Sequence, residues 1–231
     1  MKKLINKYYS FDPIKIEKLV GYENVNYLVT NKEQRFVFKT YPYSSELFDA
    51  LIAETDVLNT LNQSMAGKFP EPVKNTNDKY VEKAGFDGKM KIIRMLSYIE
   101  GELLAKVEHN NKLFASFGTI LANMDKKLSG YNNYIIKSKC YKWDIQHFPL
   151  NKKYIKDLPD AQNRKVVEYF FQQFDELVLP VLPELRKSII HGDSNDFNVV
   201  VKNNEVCGIF DFGDLVYSQL INELYSRTRL L

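Results

Sequence analysis

The segment from Ser188 to Asp214 constrains the fold of this chain more than any other stretch. It holds three short apolar runs, Ser188 to His191, Asn198 to Val201 and Val206 to Phe210, separated by loops dense in Asp, Asn and Gly. Runs of that length between turn formers read as strands. They interrupt a half of the chain whose periodicity is otherwise helical. Lys112 to Leu128 sets Leu113, Phe117, Ile120, Leu121 and Met124 on one face. Arg164 to Val178 does the same with Val167, Phe170, Phe171 and Phe174, and Pro180 and Pro183 lie beyond its end. A last helix is expected to begin near Ser218.

The first hundred residues have the opposite character. Ile14 to Val20, Tyr27 to Thr30 and Arg35 to Tyr41 read as strands, with turns at Gly21 to Asn26 and at Asn31-Lys32. Pro42 ends the third strand, and Ser44 or Ser45 can cap a helix from about Glu46 to Leu61 that aligns Leu47, Leu51, Leu58 and Leu61. Lys79 to Ala84 and Lys89 to Leu96 form a hairpin around Asp87-Gly88. The chain then crosses through Ser97 to Gly101. The expected fold class is α+β, with a strand-rich lobe carrying one helix at 1–96, a hinge at 97–101 and a mainly helical lobe at 102–231.

Composition narrows the function classes. The hydrophobic share of 45% and charged share of 26% are those of a globular protein and exclude disorder. A net charge of +3, with no basic block, gives no nucleic-acid arm and no membrane-binding patch. Cys140 and Cys207 lack the spacing of a zinc site or a disulfide framework and read as reduced thiols. The N-terminus MKKLINKYYSFDP has no apolar run behind its lysines, and no stretch is long enough for a membrane span, so the expected location is the cytoplasm.

The loops between the short strands carry the chemistry. Asn198 and Asp211, thirteen residues apart, with Asp193 close by, form an oxygen-only set at strand ends, which suits Mg²⁺ and argues against zinc. A magnesium ion held by few protein groups keeps positions for phosphate oxygens, as phosphoryl transfer needs. Asp193 stands five residues before Asn198, the Asp-x-x-x-x-Asn spacing of a kinase catalytic loop, where it would receive the acceptor's hydroxyl proton. His191 would brace that loop by hydrogen bonding. The competing reading is a set of turn-forming Asp and Asn residues; acids and a His packed between apolar strands would be costly to keep without partners.

His191-Gly-Asp-Ser-Asn-Asp-Phe-Asn198, followed by Asp211-Phe-Gly-Asp, resembles the aminoglycoside phosphotransferase and choline kinase superfamily. With Leu215-Val-Tyr-Ser and then Asn222-Glu-Leu, it looks most like the hydroxylysine kinase branch, and similar modules occur fused to class III aminotransferase-like domains. The resemblance covers nearly the whole chain in outline, with its sharp motifs in about the last forty residues. It implies a protein-kinase-like two-lobe fold. It also implies transfer of the γ-phosphoryl of ATP, with Mg²⁺ and with GTP as an open alternative, to a hydroxyl of a small amine or amino acid. Hydroxylysine leads the acceptors; aminoglycosides, choline, ethanolamine and homoserine stay open. Asp196 is a candidate to attract an ammonium group.

The N-terminal half supplies the rest of such a site. Lys39 points to the same face of its strand as Val37, and would hold the α- and β-phosphates. Glu54 falls on the apolar stripe of the following helix and needs a cation, for which Lys39 is the natural partner. Solvent-facing side chains are the competing reading for Lys39 and Glu54, and Glu46 is a weaker alternative to Glu54. Gly21 to Asn26 has one glycine; its amides, around Asn24, would cover phosphates, or it is a plain hairpin. Arg94 to Gly101 resembles the family's hinge, where adenine would stack and bond to backbone between Leu96 and Tyr98. His109 and His147 read as surface or satisfied histidines, and Trp143 as core, with acceptor recognition a second role for its segment.

Relatives in this superfamily usually continue with several more helices, and the ending Tyr225 to Leu231 departs from the alanine-rich helix expected there. The helical lobe is therefore expected to be incomplete, with its apolar surface covered by self-association or by a partner. The alternative function is a truncated, inactive nucleotide-binding module acting within a larger assembly.

Overall fold

The computed structural model describes residues 1–19, 21, 24–32 and 34–225. In chain order the elements are α1 (Lys2–Tyr9), β1 (Lys15–Leu19), β2 (Val25–Asn31), β3 (Gln34–Pro42), α2 (Ser45–Asn62), β4 (Pro72–Val73), β5 (Val81–Phe86), β6 (Lys89–Ser97), β7 (Glu102–Leu103), α3 (Asn111–Leu128) and α4 (Tyr134–Ser138). A run of 3₁₀ turns (Ile145–Asp157) and α5 (Ala161–Gln173), which continues into a π-helical turn (Phe174–Val178), come next. Then follow β8 (Lys187–Ile190), β9 (Val199–Lys202), β10 (Glu205–Ile209), β11 (Val216–Gln219) and α6 (Asn222–Tyr225). Val20, Tyr22 and Glu23 of the expected first strand and turn, and the ending 226–231, lie outside the described residues.

The chain divides into two compact units. One comprises Met1–Ile120 and Phe197–Gly213; the other comprises Leu121–Asp196 and the chain from Asp214. These bounds differ from the division drawn from sequence at 97–101: β7 pairs with β9, Glu102 opposite Val201 and Leu103 opposite Val200, and the Ile209 N–H donates to Lys68 O at 3.0 Å, tying this strand cluster to the N-terminal half.

In the first unit an antiparallel sheet runs β1-β2-β3-β6-β4, with β5 also paired to β6. The alternation along β3 sorts its side chains between two faces. Phe38 joins Val29, Ala84, Ile93 and Met95 against Leu4, Ile5 and Tyr9 of α1. That helix has no counterpart in the sequence reading, although its leucine, isoleucine and tyrosines recur at helical spacing. On the opposite face Tyr41, Val81 and Ile92 pack on Leu51 of α2. Ser44 caps α2 by accepting the Leu47 N–H at 3.1 Å. A second sheet, β10-β9-β7, completes the unit.

In the second unit β8 pairs with β11, Ile190 opposite Val216 and Ser188 opposite Ser218. The region near Ser218, expected to open a helix, is this strand; β8 needs a partner for its backbone, and helix α6 begins only at Asn222. Of the apolar face expected on α5, Phe171 and Phe174 are buried and Phe170 is 58% exposed. Burial follows one narrow seam, in which Phe148 stacks on Phe171 at 4.1 Å and tilts against Phe174 at 5.2 Å. Trp143, expected in the core, is instead 86% exposed, because Phe148 fills that seam from the neighbouring 3₁₀ run. Among the described residues no helix is long and apolar enough to cross a membrane.

Candidate active site

The register of the first sheet lines up a polar row inside an apolar surround. Asn26 on β2 lies opposite Lys39 on β3, and Lys39 lies opposite Arg94 on β6. Directly opposed residues share a face, and this is the face that α2 covers. Lys39 is 7% exposed, Arg94 2% and Glu54 of α2 5%. Two buried cations side by side need anions close at hand. Glu54 Oε1 pairs with Arg94 Nη2 at 2.8 Å, and Lys39 Nζ donates to Asp211 Oδ1 at 3.0 Å. The partner expected for Glu54, Lys39, is thus displaced by Arg94, whose planar fork also donates through Nε to Tyr41 Oη at 3.0 Å. Burial opposes the charge on Lys39, but Tyr41, Asp211 and Glu54 outweigh it and raise its pKa. Arg94, desolvated but facing Glu54 and Tyr41, is likewise held firmly protonated. Glu46 is exposed at the start of α2, where its own amide and Ser44 lower its pKa.

Asp211 is aimed at Lys39 by the backbone. Its φ of 65° lies in the left-handed region, which Asp tolerates better than most residues. Next to it Phe212 is 1% exposed and packs edge-on against Phe69 at 5.6 Å, so the phenyl ring anchors the turn that presents the carboxylate. Phe210 N–H donates to Asn198 O at 2.9 Å, tying the start of β9 to the end of β10. The two residues expected to hold a metal therefore stand on adjoining strand ends of one hairpin.

The hinge is partly committed to the sheet. Ser97 N–H donates to Glu71 O at 2.8 Å and Tyr98 N–H to Arg35 O at 3.1 Å, so neither amide is open to an adenine. The Arg35 guanidinium lies 4.5 Å from the Tyr98 ring centroid and also pairs with Glu100. Leu96 is buried. The side-chain amide oxygens of Asn24, in the loop before β2, and of Asn26, on β2, are buried with no hydrogen-bond partner among the described residues.

The second unit holds the other half of the motif. His191 is fully buried, and its Nδ1 accepts the Asp193 N–H at 3.2 Å. Asn195 Nδ2 donates to Asp193 Oδ1 at 2.7 Å. Glu223, fully buried on α6, gathers the loop: its Oε2 accepts the His191 N–H at 2.7 Å and the Gly192 N–H at 3.4 Å, and its Oε1 accepts Ser194 Oγ at 2.7 Å. Gly192 has φ 79°, and a Cβ there would sit 2.7 Å from Asp214 O, so only glycine fits. Sequence reasoning gave no role to Arg94, Glu223, Ser194 or Asn195. A lone arginine in the apolar run of β6 was the available signal for the first; Glu223 was visible only as part of a resemblance.

The fold that carries this polar row is of a known type. The chain superposes on an amicoumacin kinase solved with AMP-PNP, Ca²⁺ and Ami with a TM-score of 0.74 at 21% identity, covering 97% of this chain and 66% of that one. It superposes on a microcompartment-associated aminopropanol kinase with a TM-score of 0.63 at 15% identity, covering 97% of this chain and 72% of that one. At these identities the likeness establishes the α+β kinase-like fold. The chain belongs to the phosphotransferase enzyme family, whose model matches residues 16–227. It is 27% identical to the hydroxylysine kinase of Mus musculus over 96% of its own length and 65% of that protein's, and 27% identical to the one of Xenopus laevis over 96% and 66%. The chain thus spans about two thirds of the length of these relatives.

The residues present fit a magnesium-bound nucleotide. Asn198 and Asp211 offer only hard oxygen donors, and Asp211 is exposed enough for its carboxylate to turn to a cation. Lys39, buried and donating to Asp211, would offer its ammonium to phosphate oxygens.

Proposed function

We propose that this chain is an ATP-dependent phosphotransferase acting on a hydroxyl of a small amine or amino acid, with a hydroxylysine-like compound as the leading acceptor. The observation that carries the reading is the buried Lys39 ammonium held 3.0 Å from Asp211 on the helix-covered face of the sheet. Lys39 binds the α- and β-phosphates, and the loop around Asn24 covers them. The purine, of ATP or of GTP, rests against Leu96 and Tyr98, using groups other than the two committed amides. Asn198 and Asp211 hold Mg²⁺, which supplies charge neutralisation at the phosphates. Asp193, steadied by His191 and Asn195, takes the proton of the acceptor hydroxyl. The acceptor oxygen forms its bond to the γ-phosphorus as the bond to the β,γ-bridging oxygen breaks, and ADP leaves. Asp196 favours an acceptor that carries an ammonium group.

Titration calorimetry with Mg-AMP-PNP tests the nucleotide half of this reading. The wild type is expected to bind, and Lys39→Met and Asp211→Asn to bind at least about tenfold more weakly, the loss of one charge-assisted contact. Equal binding by all three proteins, or none by the wild type, contradicts it.

A further inference from the structure

We infer that Asp144 is a positioning residue for the loop that carries Asp193, acting on it through Ser218, Asn222 and helix α6. The inference rests on the role of Asp193 proposed above. Asp144 is a buried carboxylate at the start of the 3₁₀ run, and a buried carboxylate is costly unless donors surround it. Three neutral donors do so. Its Oδ1 accepts the Gln146 N–H at 3.1 Å and Ser218 Oγ at 2.8 Å, and its Oδ2 accepts Gln146 Nε2 at 2.5 Å. Gln146 is fixed in turn, because Nε2 also donates to Tyr217 O at 2.9 Å and Oε1 accepts Lys187 Nζ at 2.9 Å. The segment from Asp144 to Gln146 therefore grips β11 at two successive residues and reaches β8 at Lys187.

The bond to Ser218 has a direction. A hydroxyl carries one proton and two acceptor positions, and a carboxylate only accepts. Asp144 takes the Ser218 proton and leaves the oxygen to accept Asn222 Nδ2 at 2.9 Å; the same amide reaches Gln219 Oε1 at 3.3 Å. Ser218 and Gln219 are both buried, so this relay runs through a dry interior where each bond counts. Asn222 is the first residue of α6, and the next is Glu223, whose carboxylate holds the His191 and Gly192 amides and the Ser194 hydroxyl. A continuous polar chain thus runs from Asp144 to the backbone on either side of Asp193, beside the ladder that sets Ile190 opposite Val216. Both oxygens of Asp144 receive donors, so an asparagine there must set its amide nitrogen against one of them. Gln146 cannot turn its own amide to relieve this without losing Tyr217 O and Lys187.

The test uses the full chain, with label transfer from γ-labelled Mg-ATP to 5-hydroxylysine, Mg-AMP-PNP titration, amide hydrogen exchange and thermal unfolding. Asp144→Asn is expected to lower kcat by about tenfold or more, the effect of a misplaced proton acceptor. Its Mg-AMP-PNP affinity is expected to stay within about twofold of wild type, since Lys39 and Asp211 belong to the first unit. The His191 and Gly192 amides are expected to exchange about tenfold faster. Ser218→Ala cuts the same chain and is expected to behave alike. The double variant is expected to lose no more than either single one, because the two residues act in series. Ile136→Val, a buried change on α4 in the same unit, is the stability control and is expected to lower Tm with kcat within about twofold of wild type. A lowered Tm in Asp144→Asn with unchanged kcat and unchanged amide protection would mark a purely structural residue and overturn the inference. So would losses that multiply in the double variant, or an equal loss of kcat in Ile136→Val. If Asp144→Asn does not fold, Ser218→Ala decides alone. Absence of transfer by the wild type would contradict the parent reading instead, and exchange at the His191 and Gly192 amides would still decide whether Asp144 governs the loop.

Discussion

Removing the Glu223 carboxylate should loosen the loop that carries Asp193 and cost much of the second unit's stability. Glu223 is fully buried and accepts the His191 N–H and the Ser194 hydroxyl, each at 2.7 Å, with a longer contact to the Gly192 N–H at 3.4 Å. The long contact adds little. Each short bond to a charged acceptor is worth roughly 1.5–3 kcal/mol, and truncation takes this acceptor from both donors in a dry site. Glu223→Ala should therefore cost roughly 3–6 kcal/mol, a fall of roughly 6–24 °C in Tm for a chain of this size. Glu223→Gln can still accept from His191 and donate to the Ser194 oxygen. It should cost about half as much, the share due to charge assistance. Urea unfolding followed by circular dichroism measures the energies, and amide hydrogen exchange at His191 and Gly192 locates the effect. A Glu223→Ala protein within about 1 kcal/mol of wild type, or one with unchanged protection of the His191 amide, would refute the reasoning.

Other consequences can be read from single residues. Gly101→Ala would place a Cβ 2.6 Å from both Val200 Cγ1 and Val201 O at φ 153°, and should destabilise by roughly 2–4 kcal/mol in the same unfolding experiment. The Lys39–Asp211 pair contributes stability that depends on a lysine whose folded pKa is raised above 10.5. That contribution should be complete below the unfolded lysine value and lost as pH rises through the higher folded one, so Lys39→Met should be the less pH-sensitive protein in alkaline unfolding series. Trp143 is the sole tryptophan and is 86% exposed, so its fluorescence should be readily quenched by acrylamide in the native state and shift little on unfolding. A blue-shifted, protected emission would contradict that placement.

Much of the fold was legible because local chemistry and tertiary demand agree. The apolar stripe of α3 and the hairpin around Asp87-Gly88 stand as periodicity and turn chemistry indicate. Ser218 was misread because nothing local shows that β8 requires a partner strand; the hydrogen bonds of β11 come from tertiary pairing. Trp143 was misread because bulk alone does not tell which aromatic a seam selects, and Phe148 occupies it. In the site, Lys39 and Glu54 were recognisable as inward-facing charges. Their partners were not, since Arg94 reaches Glu54 through a register set by the packing of two distant strands. Glu223 lies thirty-two residues beyond His191, a separation that no spacing rule connects.

The central claim is phosphoryl transfer. Its most direct test is incubation of the chain with Mg²⁺ and γ-labelled ATP across a panel of hydroxylated amines led by 5-hydroxylysine, with the label followed into the acceptor and Asp193→Asn as control. The account predicts label in one acceptor's hydroxyl, reduced by about 10²–10⁴-fold in Asp193→Asn while nucleotide affinity is kept. Transfer that persists at the wild-type rate in Asp193→Asn, or nucleotide binding with no label entering any acceptor, would contradict it.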